Sequence, residues 1–415
     1  MKRKLIFVLM ITIYRVLLDS LYITAISPFF SYDSLIINRN DSVYIASWGI
    51  LWAFIWLVYP FLKKDANFTS FVVVMLFLLK VIPFTSFIAC NAQPWDFILL
   101  QTIYWFLIFV LLRLVPPFRI PNLGRNTLFI NVVTFIFIIV IIFLSGYYAH
   151  FRLHFSLMDV YDLRTEARGY DIPVILGYIH SAAAKVLPLL LIFYIGQKKK
   201  VIVLFIIMAI LLSFGVNGMK STFLNLFFCL GLYYLHSKCL LSKLSIGLLS
   251  LCIIALFEFS FMGSYFISDI LIRRILYIPS LLDTYYYNYT LEYGPLYFNA
   301  IVNKMDIAYV IGSFWRTSRT CANNGLFSDA YVNLGVFGVF IYPFIYTIFF
   351  KYAESIFRGK DYGITFYAAF IVTYNMISSF FTVCLLTHGM FILCFIVMFM
   401  PNMTSTSQYK IESRL

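Results

Sequence analysis

The sequence predicts an all-α polytopic membrane protein with about twelve transmembrane helices and two larger loops on one side. Of its 415 residues, 62% are hydrophobic and only 12% are charged, and the mean hydropathy is +0.90. A soluble domain carries about 25% charged residues. A soluble protein with one very large core is excluded, because soluble chains divide into domains above about 250–300 residues.

Apolar runs of membrane-spanning length follow one another along the chain. About 20 apolar residues cross the hydrocarbon core of a bilayer. The first run follows MKRK without a small-residue cleavage site, which predicts a membrane helix rather than a cleaved signal peptide. The runs at 201–216 and 219–236 are short, and a re-entrant hairpin is the alternative there. The predicted spans are 5–28, 44–62, 68–90, 97–114, 127–147, 173–195, 201–216, 219–236, 244–262, 335–352, 362–383 and 386–402.

Lysine and arginine are distributed unequally between the two sides of the predicted bundle. With the N-terminus inside, eighteen of the 31 lie at inner ends, ten lie in outer segments and three lie within spans. Inner loops rich in Lys and Arg form the positive-inside pattern. Both termini are therefore predicted to be cytoplasmic.

Several function classes are excluded by the residue inventory. The net charge of +13 does not predict nucleic-acid binding, because most cations sit in short loops where topology explains them. The seven cysteines form no CxxC pair, and no Walker loop, HExxH or GxSxG motif is present. His150 and His154 are four residues apart but have no third ligand at a fitting spacing. The sequence predicts neither a metal site nor a cofactor.

Two outer loops hold most of the outer cations. The first covers residues 148–172 and the second covers residues 263–334. The insertion bias opposes arginine on the outer side, so arginines kept there indicate a polyanionic ligand. The alternative is that they only pair with nearby carboxylates. The arginines are Arg152, Arg164 and Arg168 in the first loop and Arg273, Arg274, Arg316 and Arg319 in the second.

The second loop is predicted to be partly helical. Residues 267–278 have isoleucine and leucine at helical spacing around two arginines, which predicts an amphipathic helix in the interface plane. Tyrosines follow at 285–287, 289, 293 and 297. Most are explained by the interfacial aromatic belt, and stacking against the apolar faces of sugar rings is the alternative.

Ionisable residues within predicted spans are costly and indicate functional or paired groups. His180, Lys185, Lys220 and Glu258 fall toward the outer halves of their helices, which suggests a cavity open to that leaflet. Arg15 and Asp19 are four residues apart and are predicted to pair with each other. Lys80 is in the middle of the third span and has no local partner.

A glycine motif leads from the second loop into the tenth span. Residues 325–338 read GLFSDAYVNLGVFG, that is, G-x-x-x-D-x-Y-x-N-x-G-x-x-G. This motif follows an arginine-rich outer loop. Together with VYDLR at 160–164 and with the Arg273-Arg274 pair that is followed by Ile278-Pro279, it resembles the Wzy-type O-antigen polymerases. A structural explanation is also available, with helix packing through Gly335 and Gly338 and a turn at Gly325.

The resemblance implies a glycosyltransferase of the bacterial inner membrane, with a GT-C-like architecture, in lipopolysaccharide biosynthesis. Such an enzyme transfers a growing glycan from one undecaprenyl-diphosphate carrier to the non-reducing end of a single carrier-linked repeat unit at the periplasmic face. Its partners would be the lipid-linked oligosaccharide, the bilayer and a membrane protein that regulates chain length. No cofactor is implied.

The polar residues fit this implied chemistry. A diphosphate leaving group needs fixed cations where its charge develops, and arginine binds phosphate oxygens bidentately. Arg273 and Arg316 are the predicted catalytic cations. Glu258 and Asp329 are the predicted catalytic carboxylates, because the attacking hydroxyl benefits from a general base; Asp306, Glu166 and His180 are the other choices. The predicted substrate-binding residues are Arg164, Arg168, Arg274, Arg319, Lys220, His180, Tyr331 and Asn333.

Two other functions share this outline. An O-antigen ligase has a similar layout, and the sequence separates it poorly from a polymerase. A flippase for lipid-linked oligosaccharide would also be a basic polytopic protein, but it would not concentrate its polar residues in one outer loop.

Overall fold

The computed structural model describes residues 2–62, 67–120, 126–152, 163, 165–167, 169–234, 240–303 and 305–402. These residues are overwhelmingly helical, and their one β contact is an isolated bridge between Asn38 and Asn91. The all-α class is therefore confirmed for this part of the chain. The α-helices are Lys2–Leu21, Ser27–Phe30, Asp41–Val58, Phe68–Leu76, Ile82–Cys90, Trp95–Leu114, Thr127–Ala149, Val174–Gly196, Lys200–Asn217, Lys220–Tyr234, Leu240–Met262, Ile278–Tyr293, Asn299–Val302, Ile307–Trp315, Phe327–Leu334, Val336–Phe357, Tyr362–Ser378, Phe381–Leu386 and Met390–Phe399. Segments of π-helix cover Tyr22–Ile26, Phe77–Val81 and Ser268–Tyr277, and 3-10 turns cover Ser31–Asp33 and Tyr59–Leu62.

Eight helical runs in the described ranges are long and apolar enough to cross a membrane. They coincide with the first six predicted spans and with the ninth and tenth. The other four predicted spans correspond to shorter helices, so the count of twelve is not confirmed. Gly218 ends one of these helices in the left-handed conformation, at φ 60°, and Gly389 precedes another at φ 72°. Glycine adopts this conformation without steric cost.

Asparagine side chains begin several of the long helices. Asn40 accepts a hydrogen bond from the Val43 amide at 3.2 Å, and Asn67 accepts one from the Ser70 amide at 2.8 Å. Asn126 accepts one from the Phe129 amide at 3.0 Å. Each bond satisfies an amide that has no partner within its own helix, which fixes where the helix starts.

The chain divides into two compact units. The first consists of Met1–Pro117, Cys239–Tyr352 and Thr373–Phe381, and the second of Phe118–Lys238, Ala353–Val372 and Thr382–Leu415. In the first unit the run Phe68–Cys90 is central, and its most apolar window is entirely buried. A helix that is hydrophobic on all sides is stable only when surrounded. The helices Lys2–Leu21 and Asp41–Val58 pack against its second half, as does Ile278–Tyr293.

Several loops of the first unit meet at one end of its helices. The Asn38 amide donates to the Cys90 carbonyl at 3.0 Å, and the Ala92 amide donates to the Asn38 carbonyl at 2.7 Å. The loop after the first membrane helix therefore lies beside the loop after the third. The residues of the second predicted loop also reach this end, because the Tyr285 hydroxyl donates to Ser34 Oγ at 2.8 Å.

The glycines of the 325–338 motif have structural roles. A Cβ added to Gly325 would overlap the carbonyl oxygens of Met376 and Ser379, and one added to Gly338 would overlap the carbonyl oxygen of Ala330. Gly335 has φ +58°, a conformation that disfavours other residues. Close backbone contacts at Gly325 and Gly338 and a sharp turn at Gly335 thus give the motif a structural role. The predicted close packing is present at Gly338, whereas the positive φ is at Gly335 rather than at Gly325.

In the second unit, Thr127–Ala149, Val174–Gly196 and Lys200–Asn217 pack against one another, and Met390–Phe399 contacts the first two. A Cβ added to Gly389 would lie 2.8 Å from Cα of Ala182. Ala182, Ala183 and Ala184 are all buried. The small side chains of this run therefore permit tight helix packing.

Candidate functional site

Arg273 and Arg316 converge on one carboxylate in the first unit. Arg273 lies on the π-helical segment Ser268–Tyr277, and Arg316 directly follows the helix Ile307–Trp315. Arg273 Nη1 donates to Asp33 Oδ2 at 2.7 Å, and Arg316 Nη2 contacts Asp33 Oδ1. We call these three residues the Arg–Asp–Arg cluster. The two arginines that the sequence predicts to be catalytic therefore lie side by side.

The two arginines of the cluster differ in accessibility. The Asp33 side chain is fully buried and that of Arg273 is 9% exposed, whereas 32% of the Arg316 side chain is exposed. Arg273 is also engaged by Asp269, to which its Nε donates at 2.7 Å and its Nη2 donates as well. Arg273 is thus a fixed, nearly saturated cation. Arg316 is the member that a ligand can reach.

Aromatic rings hold both guanidinium groups in place. Arg273 lies 4.3 Å from the centre of the Phe30 ring, and Arg316 lies 4.6 Å from Trp315 and 5.3 Å from Tyr32. Arginine stacks favourably on aromatic faces, and the rings limit its rotamers. The positions of the positive charges are therefore set before any ligand binds.

Asp33 was missed by sequence reasoning. It lies at the end of the first membrane helix, 240 residues from Arg273, so no spacing rule connects the two. One signal was present in the sequence. Asp33 directly follows an apolar run at the same predicted end as the second loop, where a carboxylate is placed to pair with outer arginines.

Arg274 and Arg319 lie nearby in the chain but are more loosely held. Arg274 Nε is 3.7 Å from Asp269 Oδ1 and its side chain is 57% exposed, while Arg319 is exposed beyond the helix that precedes Arg316. These arginines and the pair in the cluster amount to four positive charges. Asp33 and Asp269 supply two negative charges, so this set of six side chains keeps an excess of two positive charges.

A buried ion pair anchors the second predicted loop to the centre of the first unit. Lys80 Nζ is 2.9 Å from Asp283 Oδ2, with both side chains fully buried, and it donates to the Pro279 carbonyl at 2.8 Å. The other carboxylate oxygen accepts from Asn324 Nδ2 and from Ser328 Oγ, each at 2.8 Å. The local sequence showed no partner for Lys80, because the partner is about two hundred residues away.

The Glu258 carboxylate binds backbone amides at the start of the next helical stretch. Its carboxylate accepts hydrogen bonds from Ser264 Oγ at 2.7 Å, from the Phe266 amide at 3.0 Å and from the Ile267 amide at 2.9 Å. A carboxylate bound to amides at a helix start is stabilised in its ionised form. Glu258 therefore positions the segment that carries Arg273, and its oxygens are committed to that contact.

Asp329 and Asn333 lie together in the buried glycine motif. Asn333 Nδ2 donates to Asp329 Oδ1 at 2.8 Å, the Tyr342 hydroxyl donates to the same oxygen at 3.2 Å, and the Phe381 amide donates to Oδ2 at 2.7 Å. Tyr331 is 3% exposed and stacks on Phe327 with ring centres 5.4 Å apart. This geometry assigns these residues to holding the motif rather than to contact with a sugar.

The Asp329 carboxyl group makes stability depend on pH. Burial raises its pKa from 3.8 to about 6, although the Phe381 amide and Tyr342 hydrogen bonds lower it in part. A raised folded-state pKa means that the folded protein binds more protons than the unfolded chain, so the contribution is full below about pH 4 and is lost as the pH rises through 6. One pKa unit is about 1.4 kcal/mol, so the expected loss is about 3 kcal/mol.

Thermal unfolding of the detergent-solubilised protein at pH 4.5 to 7.5 measures this loss. We expect the Tm of the wild type to fall with rising pH relative to that of Asp329→Asn, which cannot titrate. The two proteins are compared by the slope of Tm against pH. Their absolute Tm values are not compared, because the asparagine amide at position 329 changes the hydrogen bonds and hence the absolute stability. Parallel pH profiles would show that Asp329 is not the titrating group.

The remaining predicted site residues belong to the second unit or lie outside the described residues. His180 Nε2 and Ser213 Oγ are 3.0 Å apart in a buried contact. Lys220 begins the helix Lys220–Tyr234, but its side chain is not among the described atoms. Arg164 and Arg168 lie outside the described residues. Arg152 forms a bidentate ion pair with Glu166, and this pair lowers the pKa of the Glu166 carboxyl group.

Within the described ranges, no group of three His, Cys, Asp or Glu side chains is placed to hold a metal ion. The first unit offers fixed guanidinium groups at the end of membrane helices, one of them accessible. Such groups bind phosphate oxygens and stabilise a developing negative charge. No family model, no curated protein and no solved structure matches the chain.

Proposed function

We propose that the protein is a glycan polymerase of the O-antigen type. It would transfer a growing glycan from undecaprenyl diphosphate to the non-reducing end of another lipid-linked repeat unit. The observation that carries this proposal is the Arg–Asp–Arg cluster, in which two arginines from separate helical segments meet at the end of membrane helices. The family resemblance of the motifs supplies the identity of the substrate.

In the proposed reaction, the acceptor hydroxyl oxygen forms a bond to the anomeric carbon of the donor glycan. The bond from that carbon to the phosphate oxygen breaks, and the hydroxyl proton is released to a base. Negative charge develops on the departing diphosphate, where the exposed part of Arg316 would bind it, with the charge of Arg273 directly behind. A fixed donor of this kind accelerates a reaction by about 100- to 1,000-fold.

The carboxylates of Glu258 and Asp329 are already held by amide donors. This arrangement favours a mechanism in which stabilisation of the leaving group contributes more than general-base catalysis. In this proposal the site lies at the periplasmic face and both termini are cytoplasmic. The shorter helices would also cross the membrane, which gives a total of about twelve crossings. A chain-length regulator would be its protein partner.

Deletion of the gene in its bacterial host tests the proposal against its two alternatives. We expect surface lipopolysaccharide with a single repeat unit in place of a ladder, because capping with one unit needs no polymerase. Complementation by the wild-type gene should restore the ladder. Lipopolysaccharide without any repeat unit would instead indicate a ligase or a flippase, and an unchanged ladder would exclude all three functions.

A further inference from the structure

We propose that an aromatic surface beside Arg316 binds the sugar rings of the substrate. The surface consists of Tyr285, Tyr289, Tyr293, Phe314 and Trp315, and we call it the aromatic stripe. The inference builds on the proposed function and assigns the part of the protein that would hold the glycan itself.

The three tyrosines of the stripe lie on one face of the helix Ile278–Tyr293. They are spaced by four residues, and residues at this spacing share a helix face. Eight residues of helix extend over about 12 Å, which is long enough for more than one pyranose ring. Tyr289 and Tyr293 lie with ring centres 4.8 Å apart, and Tyr293 is 62% exposed.

Phe314 and Trp315 come from the helix Ile307–Trp315 and complete the stripe. The Phe314 ring meets all three tyrosines edge-on, with ring centres 5.9 to 6.4 Å apart, and the Trp315 ring is 6.0 Å from that of Tyr285. Tyr285, Tyr289 and Trp315 rest on the buried cluster that contains Leu282, Ile307 and Ile311. The rings are therefore rigid, and a ligand would not need to order them.

The stripe is continuous with the Arg–Asp–Arg cluster. The Trp315 ring contacts the Arg316 guanidinium at 4.6 Å, and the Trp315 indole nitrogen donates to the Asp33 carbonyl at 3.5 Å. A ligand with its diphosphate at Arg316 would thus have its next sugar units beside the stripe. This order matches the covalent order of a lipid-linked glycan, in which the sugar follows the diphosphate.

Polar side chains accompany the rings in a way that fits saccharide better than lipid. Asn288, Glu292 and Ser313 are exposed on the same two helices, between or beside the stripe residues. Sugars present apolar C–H faces to aromatic rings and hydroxyl groups to polar side chains at the ring edges. A surface facing acyl chains would exclude a carboxylate such as Glu292. Neither of the two helices belongs to the long apolar runs.

The test measures binding of free glycan, without the lipid or the reaction. The purified full-length protein is titrated with the polysaccharide that mild acid releases from the host's surface glycolipid, while tryptophan fluorescence is recorded. Trp315→Phe identifies the part of the signal that comes from the stripe. We expect a saturable change in the wild type that is absent in Trp315→Phe.

Matched variants locate the binding surface. One aromatic contact changes affinity by about 2- to 12-fold, so Tyr289→Ala with Tyr293→Ala should weaken binding by about tenfold or more, and cells with this double variant should make shorter glycan chains. Tyr293→Phe keeps the ring and should bind within about twofold of the wild type. The control is Phe337→Ala, which removes a 73% exposed ring outside the stripe and should leave binding unchanged.

Two results would overturn the inference. One is wild-type binding of polysaccharide by the folded Tyr289→Ala, Tyr293→Ala protein. The other is a Trp315 signal that responds to phospholipid vesicles but not to polysaccharide, which would make the stripe a membrane contact. If gene deletion leaves the glycan ladder intact while the stripe still binds polysaccharide, the proposed polymerase function fails and the saccharide site stands.

Discussion

Replacing Arg316 with alanine is expected to lower glycan polymerisation by about 100- to 1,000-fold, the loss typical of removing one fixed donor from a developing anion. Arg273→Ala should also lower polymerisation, because it removes the charge behind Arg316 and leaves the buried Asp33 carboxylate with one cation instead of two. Arg273→Lys should fall between the wild type and alanine, because lysine keeps the charge but lacks the planar fork that spans two carboxylates. The measurement is the glycan ladder that purified protein forms from extracted lipid-linked repeat units, normalised to protein concentration.

The control for these variants is Arg39→Ala. Arg39 Nε is 3.9 Å from Asp41 Oδ1 in an exposed pair, and it lies in the loop that follows Asp33. Exposed pairs contribute about 0–1 kcal/mol, so polymerisation should change by less than about fivefold. Full polymerisation by both Arg273→Ala and Arg316→Ala at normal protein levels would refute phosphate binding by the cluster.

Replacing Lys80 with methionine is expected to destabilise the first unit by about 3–5 kcal/mol, which is the typical cost of leaving one partner of a buried ion pair alone. The Asp283 carboxylate would stay fully buried without its cation, although Asn324 and Ser328 would still donate to it. Loss of this pair would also remove one contact between the helix Ile278–Tyr293 and the core. Thermal unfolding in detergent and the yield of monodisperse protein measure the effect.

A second substitution separates the charge from the packing. In Lys80→Met with Asp283→Asn, the neutral amide oxygen still accepts from Asn324 and Ser328, so most of the lost stability should return. Lys185→Met is the matched control, because Lys185 donates to the Ser181 carbonyl at 3.1 Å rather than to a carboxylate. If the double variant were as unstable as Lys80→Met, side-chain shape rather than unpaired charge would explain the loss.

The sequence allowed the long helices and some local contacts to be predicted. Eight of the predicted spans coincide with long apolar helices, because length and hydropathy are properties of single segments. The pairing of Arg15 with Asp19 is confirmed at 2.9 Å for the same reason, since the two residues are one helical turn apart. The four shorter spans stay a prediction, since apolar composition does not reveal where a glycine in the left-handed conformation interrupts a helix.

Contacts between distant parts of the chain were not predictable from one sequence. Asp33 and Asp283 each pair with a cation more than two hundred residues away. The topological argument identified Arg273 and Arg316 as unusual but could not supply their common partner. The chemistry implied by the family resemblance gave Glu258 and Asp329 as candidate bases, and a carboxylate near a helix end has the same sequence signature whether it binds a substrate or a backbone amide.

Asp33 has a consequence for how the proposed enzyme would turn over. The carboxylate already contacts both cations when no substrate is present, so an incoming diphosphate gains only the difference between its own contact with Arg316 and the contact it displaces. Binding of the carrier is thereby kept moderate, while the additional charge that appears during bond cleavage is still stabilised. After cleavage, Asp33 would compete for Arg316 and help to expel the spent carrier. A built-in competitor of this kind protects an enzyme that must repeat one reaction many times from inhibition by its own product.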